Sequence, residues 1–149
     1  MQLEIVMLIA MWQPVTERGE LLLAEAEALR SHGKFSAAEQ VYRRLLESAP
    51  DMQLAAWTGL TVTLLELGRA SEALQFARKT LELCGDRQPC GAYAWNNLAA
   101  AQLGLGRWVE ADQAYREAVR QAETALGAEH PEVQQMWGNL GVLLASRGE

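Results

Sequence analysis

Four glycines, Gly33, Gly68, Gly106 and Gly148, recur at intervals of 35, 38 and 42 residues, each at the same place in a copied pattern. A tryptophan stands eleven residues before each of the last three (Trp57, Trp95 and Trp137), and a leucine follows each tryptophan by three (Leu60, Leu98 and Leu140). Five residues after the first three glycines come Ala38, Ala73 and Ala111. A period of this length predicts a repeat architecture in which one helical hairpin per repeat stacks on the next. Such a solenoid offers a surface rather than a reaction centre, so the pattern bears on how the chain binds more than on what it binds.

The 149 residues suffice for one domain, and half are apolar, a globular composition. A net charge of −6 argues against nucleic acid, whose phosphates attract basic proteins, and against anionic membrane surfaces. Cys84 and Cys90 flank Gly-Asp-Arg-Gln-Pro and read as two small residues near a helix end and a loop. A local disulfide between them is sterically possible and would call for an oxidising compartment. Neither cysteine has a metal-like spacing and the histidines are His32 and His130, so no metal or other cofactor is expected.

Ile5 to Trp12 is an unbroken apolar run closed by Gln13-Pro14. It is too short to span a bilayer, which takes about twenty residues. It also lacks the positive flank and small-residue cleavage site of a secretory signal. The expected location is therefore cytoplasmic. Residues 1–18 are expected to form a separate segment that caps the first hairpin or docks in the groove of the same or a neighbouring molecule.

From Gly19 onward the chain reads as helix pairs, with apolar residues at spacings of three and four, such as Leu22, Ala26, Leu29 and Phe35, Ala38, Val41, Tyr42, Leu45. The turn glycines suit helix C-caps, and Asp51 is placed to cap the helix after Pro50. The second pair is expected at about 53–67 and 70–83, the third at about 91–105 and 108–126, and a last helix from His130-Pro131 to Gly148. Trp57, Trp95 and Trp137 are expected to fill the hairpins, with Phe35 and Trp108 filling the start of the second helices and Tyr42 and Tyr115 in the core. Ala38, Ala73 and Ala111 let the backbones approach.

On these residues the chain resembles the tetratricopeptide-repeat proteins. The resemblance runs over 19–149 as about three and a half repeats: 19–52, 54–87, 92–133 and 134–149. It implies an all-α, right-handed superhelical solenoid of antiparallel hairpins. Repeat two departs most, with Ala70 and Ala77 where aromatics are expected, so looser packing is expected there. The third repeat, through Trp95-Asn96-Asn97-Leu98-Ala99 and Leu126-Gly127-Ala128-Glu129-His130-Pro131-Glu132-Val133, resembles the longer variant of kinesin light chains and their bacterial relatives. His130 then has a structural role in the turn before Pro131.

The resemblance implies that the first helix of each repeat lines a concave groove. The partner-binding candidates are Glu27, Thr58, Tyr93, Asn96, Asn97, Gln135 and Asn139, with Glu20, Leu23, Val62, Ala100 and Val142 beside them. Asn97 and Asn139 are equivalent by position, and an amide can pair with both groups of an extended peptide backbone; the alternative is that such asparagines bridge neighbouring helices. The groove lacks the lysines and arginines of the clamp that holds chaperone C-terminal carboxylates. No catalytic constellation is present, so the expected function is a non-enzymatic interaction module: a scaffold, adaptor or co-chaperone taking a protein or peptide. The alternative is a fragment of a regulatory sensor that binds a signalling peptide. A homodimer through the N-terminal segment or the last helix is a further expected partner.

Overall fold

The computed structural model describes residues 15–148; the expectations for the run at 5–12 lie outside them. The described residues form seven α-helices: α1 Val15–Ser31, α2 Phe35–Ser48, α3 Gln53–Glu66, α4 Ala70–Cys84, α5 Cys90–Gly104, α6 Trp108–Leu126 and α7 Pro131–Arg147, with a 3-10 turn at Pro50–Met52. Each helix packs on the next, and α3 also touches both α1 and α5, so the odd-numbered helices share one face. The result is an all-α solenoid. No helix among the described residues is long and apolar enough to cross a membrane.

The repeat is punctuated by one turn used again and again. Gly33, Gly68 and Gly106 sit at φ of +72°, +73° and +70°, in the left-handed region where a Cβ is strained. In each turn the residue after the glycine donates its N–H five residues back: Lys34 to Leu29, Arg69 to Leu64 and Arg107 to Gln102, at 2.8–2.9 Å. This closes the otherwise unpaired carbonyls of the helix end. Gly148 (φ +76°) ends α7 in the same backbone state.

Two boundaries differ from the sequence reading. α1 begins at Val15, ahead of Gly19, and Gly19 is buried inside it, where an added Cβ would lie 2.5 Å from Met52 Sδ. Asp51 is not the cap of α3. It lies in the 3-10 turn, and Met52 precedes the helix without a side-chain cap.

The core confirms the alanines and corrects the large aromatics. Ala38, Ala73 and Ala111 are fully buried, as are Leu60 and Leu64, while Tyr42 and Tyr115 are nearly so. The tryptophans lie at the edge of this packing. Trp95 is half-buried and touches the apolar clusters on both sides of it. Trp57 is half-buried, with the Lys79 ammonium 5.7 Å from its ring. Trp137 is 45% exposed, Trp108 is 41% exposed and Phe35 is half-buried. The physical reason is spacing: alanines and leucines hold the close helix crossings, which leaves the larger rings to cover the seams. At Trp137 no second helix among the described residues lies over the seam.

Repeat two is tight at one end and open at the other. Ala70 packs so closely on Gly104 that a Cβ added at the glycine would be 2.8 Å from the alanine methyl. Further along α4, Thr80 and Cys84 occupy the places of Leu45 and Ala49 in α2, and beside them a cavity opens. On the surface, Arg69 bridges α4 to α2 by donating to Glu39 Oε2 at 2.6 Å, while also holding Glu72.

Candidate functional site: the face of the first helices

Glu27 on α1 and Thr58 on α3 wall one depression of about 210 Å³, with Arg30, Ala55, Val62 and the Tyr42–Gly59 contact forming the rest. Tyr42 reaches this face because Gly59 has no side chain: a Cβ there would fall 2.3 Å from the ring. Burial pushes the Tyr42 hydroxyl up from its ordinary range, and a hydrogen bond with Arg30 partly opposes this.

Thr58 also borders the second space. This cavity, about 340 Å³, lies between α3, α4 and α5 and is lined by Leu54, Thr58, Thr80, Cys84, Pro89, Cys90 and Tyr93. Cys84 and Cys90 are joined by a disulfide with Cα atoms 5.5 Å apart. That corrects the reading of two unlinked small residues. Such bonds persist in oxidising compartments, which pulls against the cytoplasmic placement expected from the N-terminal run.

Tyr93 and Asn96 tie α5 to α7. The Tyr93 hydroxyl donates to Glu132 Oε2, and Asn139 Nδ2 donates to Asn96 Oδ1 at 2.9 Å. The asparagine pairing is therefore the helix bridge that the sequence left as an alternative. It joins 96 to 139, whereas alignment on the tryptophans makes 97 the equivalent of 139. Asn97 is half-buried and makes no side-chain hydrogen bond among the described residues. Gln135 is exposed on α7 and borders neither space, so the structure does not gather it with the others.

Burial and the bond to Glu132 raise the Tyr93 hydroxyl to about 12. The folded protein therefore holds this proton above the ordinary tyrosine range near 10. Its contribution is complete below pH 10 and is lost as pH rises through 12. Denaturation followed from pH 9 to 12 should show a fall in stability that is shallower in Tyr93→Phe; an unchanged slope would mean that the bond contributes nothing.

His130 serves the turn, as its position suggested. It is the residue before α7, its Nδ1 accepts the Glu132 N–H at 3.3 Å and its carbonyl accepts the Gln134 N–H at 3.1 Å. The cavity, by contrast, was missed by sequence reasoning. Its signal was present in the alignment of the repeats, where Thr80 stands in the place of Leu45.

Comparison with known proteins agrees with this geometry. Two family models, each described as tetratricopeptide repeat, match residues 23–87 and 92–132, together more than half of the chain. No curated protein matches. Among solved structures, BtubC (BKLC) from P. vanneervenii is similar at 25% identity and a TM-score of 0.77, over 97% of this chain and 62% of that one. The chain thus spans about three fifths of that protein's length. With hairpins, turn glycines and buried alanines all in register, the chain belongs to the tetratricopeptide-repeat family, with kinesin-light-chain-like character.

Proposed function

We propose that this repeat, a protein–protein interaction module by family, acts without catalysis as a scaffold or adaptor. It takes an extended segment of a partner protein across the face of α1, α3 and α5. Asn97 carries the reading. It is half-buried on α5, and its side-chain amide makes no hydrogen bond among the described residues. A solvent-accessible amide can pair with both the donor and the acceptor of an extended peptide backbone. Glu27 and Thr58 lie further along the same face, and Asn96 and Asn139 brace it through their mutual bond.

Asn97→Ala is therefore expected to weaken a partner segment about tenfold, the loss of one to two hydrogen bonds. Asn139→Ala should act less on binding, because its amide already serves the protein. The check is a quantitative pull-down from the source lysate with both variants and wild type, folding confirmed by circular dichroism. A partner lost with Asn97→Ala and kept with a convex-face change such as Glu72→Ala supports the groove; equal retention by all three rejects it.

A further inference from the structure

We propose that the cavity between α3, α4 and α5, together with the Glu27 carboxylate, recognises a partner segment bearing a large apolar side chain three or four residues from an arginine or lysine. This rests on the groove reading above and names the chemistry that the groove selects.

The cavity asks for an apolar group because two of its three hydroxyls are already engaged. The Thr80 hydroxyl donates to the Phe76 carbonyl at 3.0 Å and the Tyr93 hydroxyl donates to Glu132. Besides the Thr58 hydroxyl, what remains facing an occupant is hydrocarbon and sulfur: Leu54, Pro89 and the Cys84–Cys90 pair. At about 340 Å³ it falls at the small end of ligand-sized sites and has room for a large side chain. It is open because repeat two places Thr80 where repeat one fills the space with the fully buried Leu45.

The depression beside it carries one carboxylate and one guanidinium, Glu27 and Arg30. Glu27 is exposed and forms no ion pair among the described residues. Arg30, in the same depression, directs its donors to the Tyr42 hydroxyl rather than to Glu27, and at the other end Glu132 is held by Tyr93. Glu27 is the carboxylate that lines either space, and so the one placed to meet a partner's cation. Thr58 belongs to both spaces, and its hydroxyl makes no hydrogen bond among the described residues. It is placed to meet the backbone between the two side chains.

The spacing follows from the helix stack. Packed helices lie about 8–10 Å apart, and the cavity lies between α3 and its neighbours α4 and α5. An extended chain advancing about 3.3 Å per residue crosses one such spacing in about three residues and enters the next with a fourth.

The test is a phage-displayed library of random dodecapeptides selected on the full chain. Retained peptides are then synthesised and their Kd measured by fluorescence anisotropy. The proposal expects arginine or lysine three or four residues from leucine, isoleucine, methionine or phenylalanine. It also expects a loss of tenfold or more with Thr58→Trp, which closes the cavity mouth, and with Glu27→Lys. Because Glu27 is exposed, that second variant keeps the test independent of folding. Peptides without this pattern, or with Kd shifted less than twofold by both changes, overturn the proposal. In that case a continued loss with Asn97→Ala shows that the groove reading stands while the subsites fail. No effect of Asn97→Ala either, or no retained peptide, shows that both fail.

Discussion

Gly59→Ala should lower stability by about 2 kcal/mol, although alanine is the better helix former by about 1 kcal/mol. The added methyl would lie 2.3 Å from Cε1 and Cζ of Tyr42, far inside van der Waals contact. The ring cannot swing away, because Tyr42 is 1% exposed and packed among Leu45, Leu60 and Ala38. Forcing a group into such a core costs about 1–3 kcal/mol, and here the overlap is severe enough for the upper end. Propensity then offsets part of it. Gly138 provides the control: it lies within α7 with nothing within 4 Å of an added Cβ. Gly138→Ala should therefore stabilise by about 0.5–1 kcal/mol. Denaturant titration of both variants reads the contrast. On a Tyr42→Leu background the steric term is relieved and Gly59→Ala should become neutral or stabilising. A destabilisation that persists there would show that the ring is not the cause.

Leu140→Ala should cost about 3 kcal/mol, and Trp137→Ala, three residues away on the same helix, less than about 1 kcal/mol. Leu140 is 1% exposed and packs with Ala111, Ala114, Tyr115 and Leu143, so truncation leaves a cavity in a filled interior. Trp137 is 45% exposed, and its indole N–H donates to Glu123 at 3.0 Å on a wet surface. A side chain already half in water has little transfer energy left to lose. Thermal melts of the two variants should separate clearly; equal losses would place Trp137 in the core after all.

These two cases show which parts of the molecule are written locally. The turn glycines were legible because a helix end needs a left-handed residue wherever it turns, whatever packs around it. The alanines were legible because a close crossing admits only a small side chain at one register position. His130 was legible because a cap is decided within two or three residues. The tryptophans misled because their period is as regular as that of the leucines, yet burial depends on whether a neighbouring helix covers them. Asn96 and Asn139 show the same limit at the site. Register aligns Asn139 with Asn97, but the folded helices pair it with Asn96 instead. Asp51 failed as a cap because Pro50 initiates a 3-10 turn that displaces the helix start. The cavity arises from the contact of three helices and so has no signature in one segment, although Thr80 and Cys84 marked where to look.

The central claim is that the face of α1, α3 and α5 receives an extended partner segment. The most direct measurement is a map of backbone amide chemical shifts on the isotope-labelled full chain, titrated with a segment of the captured partner. Saturable changes are expected at Glu27, Thr58 and Asn97, with Arg69 before α4, Glu72 on α4 and Arg116 on α6 unmoved. Changes centred on the second helices, or confined to the exposed side of α7 around Trp137 and Val142, would contradict it.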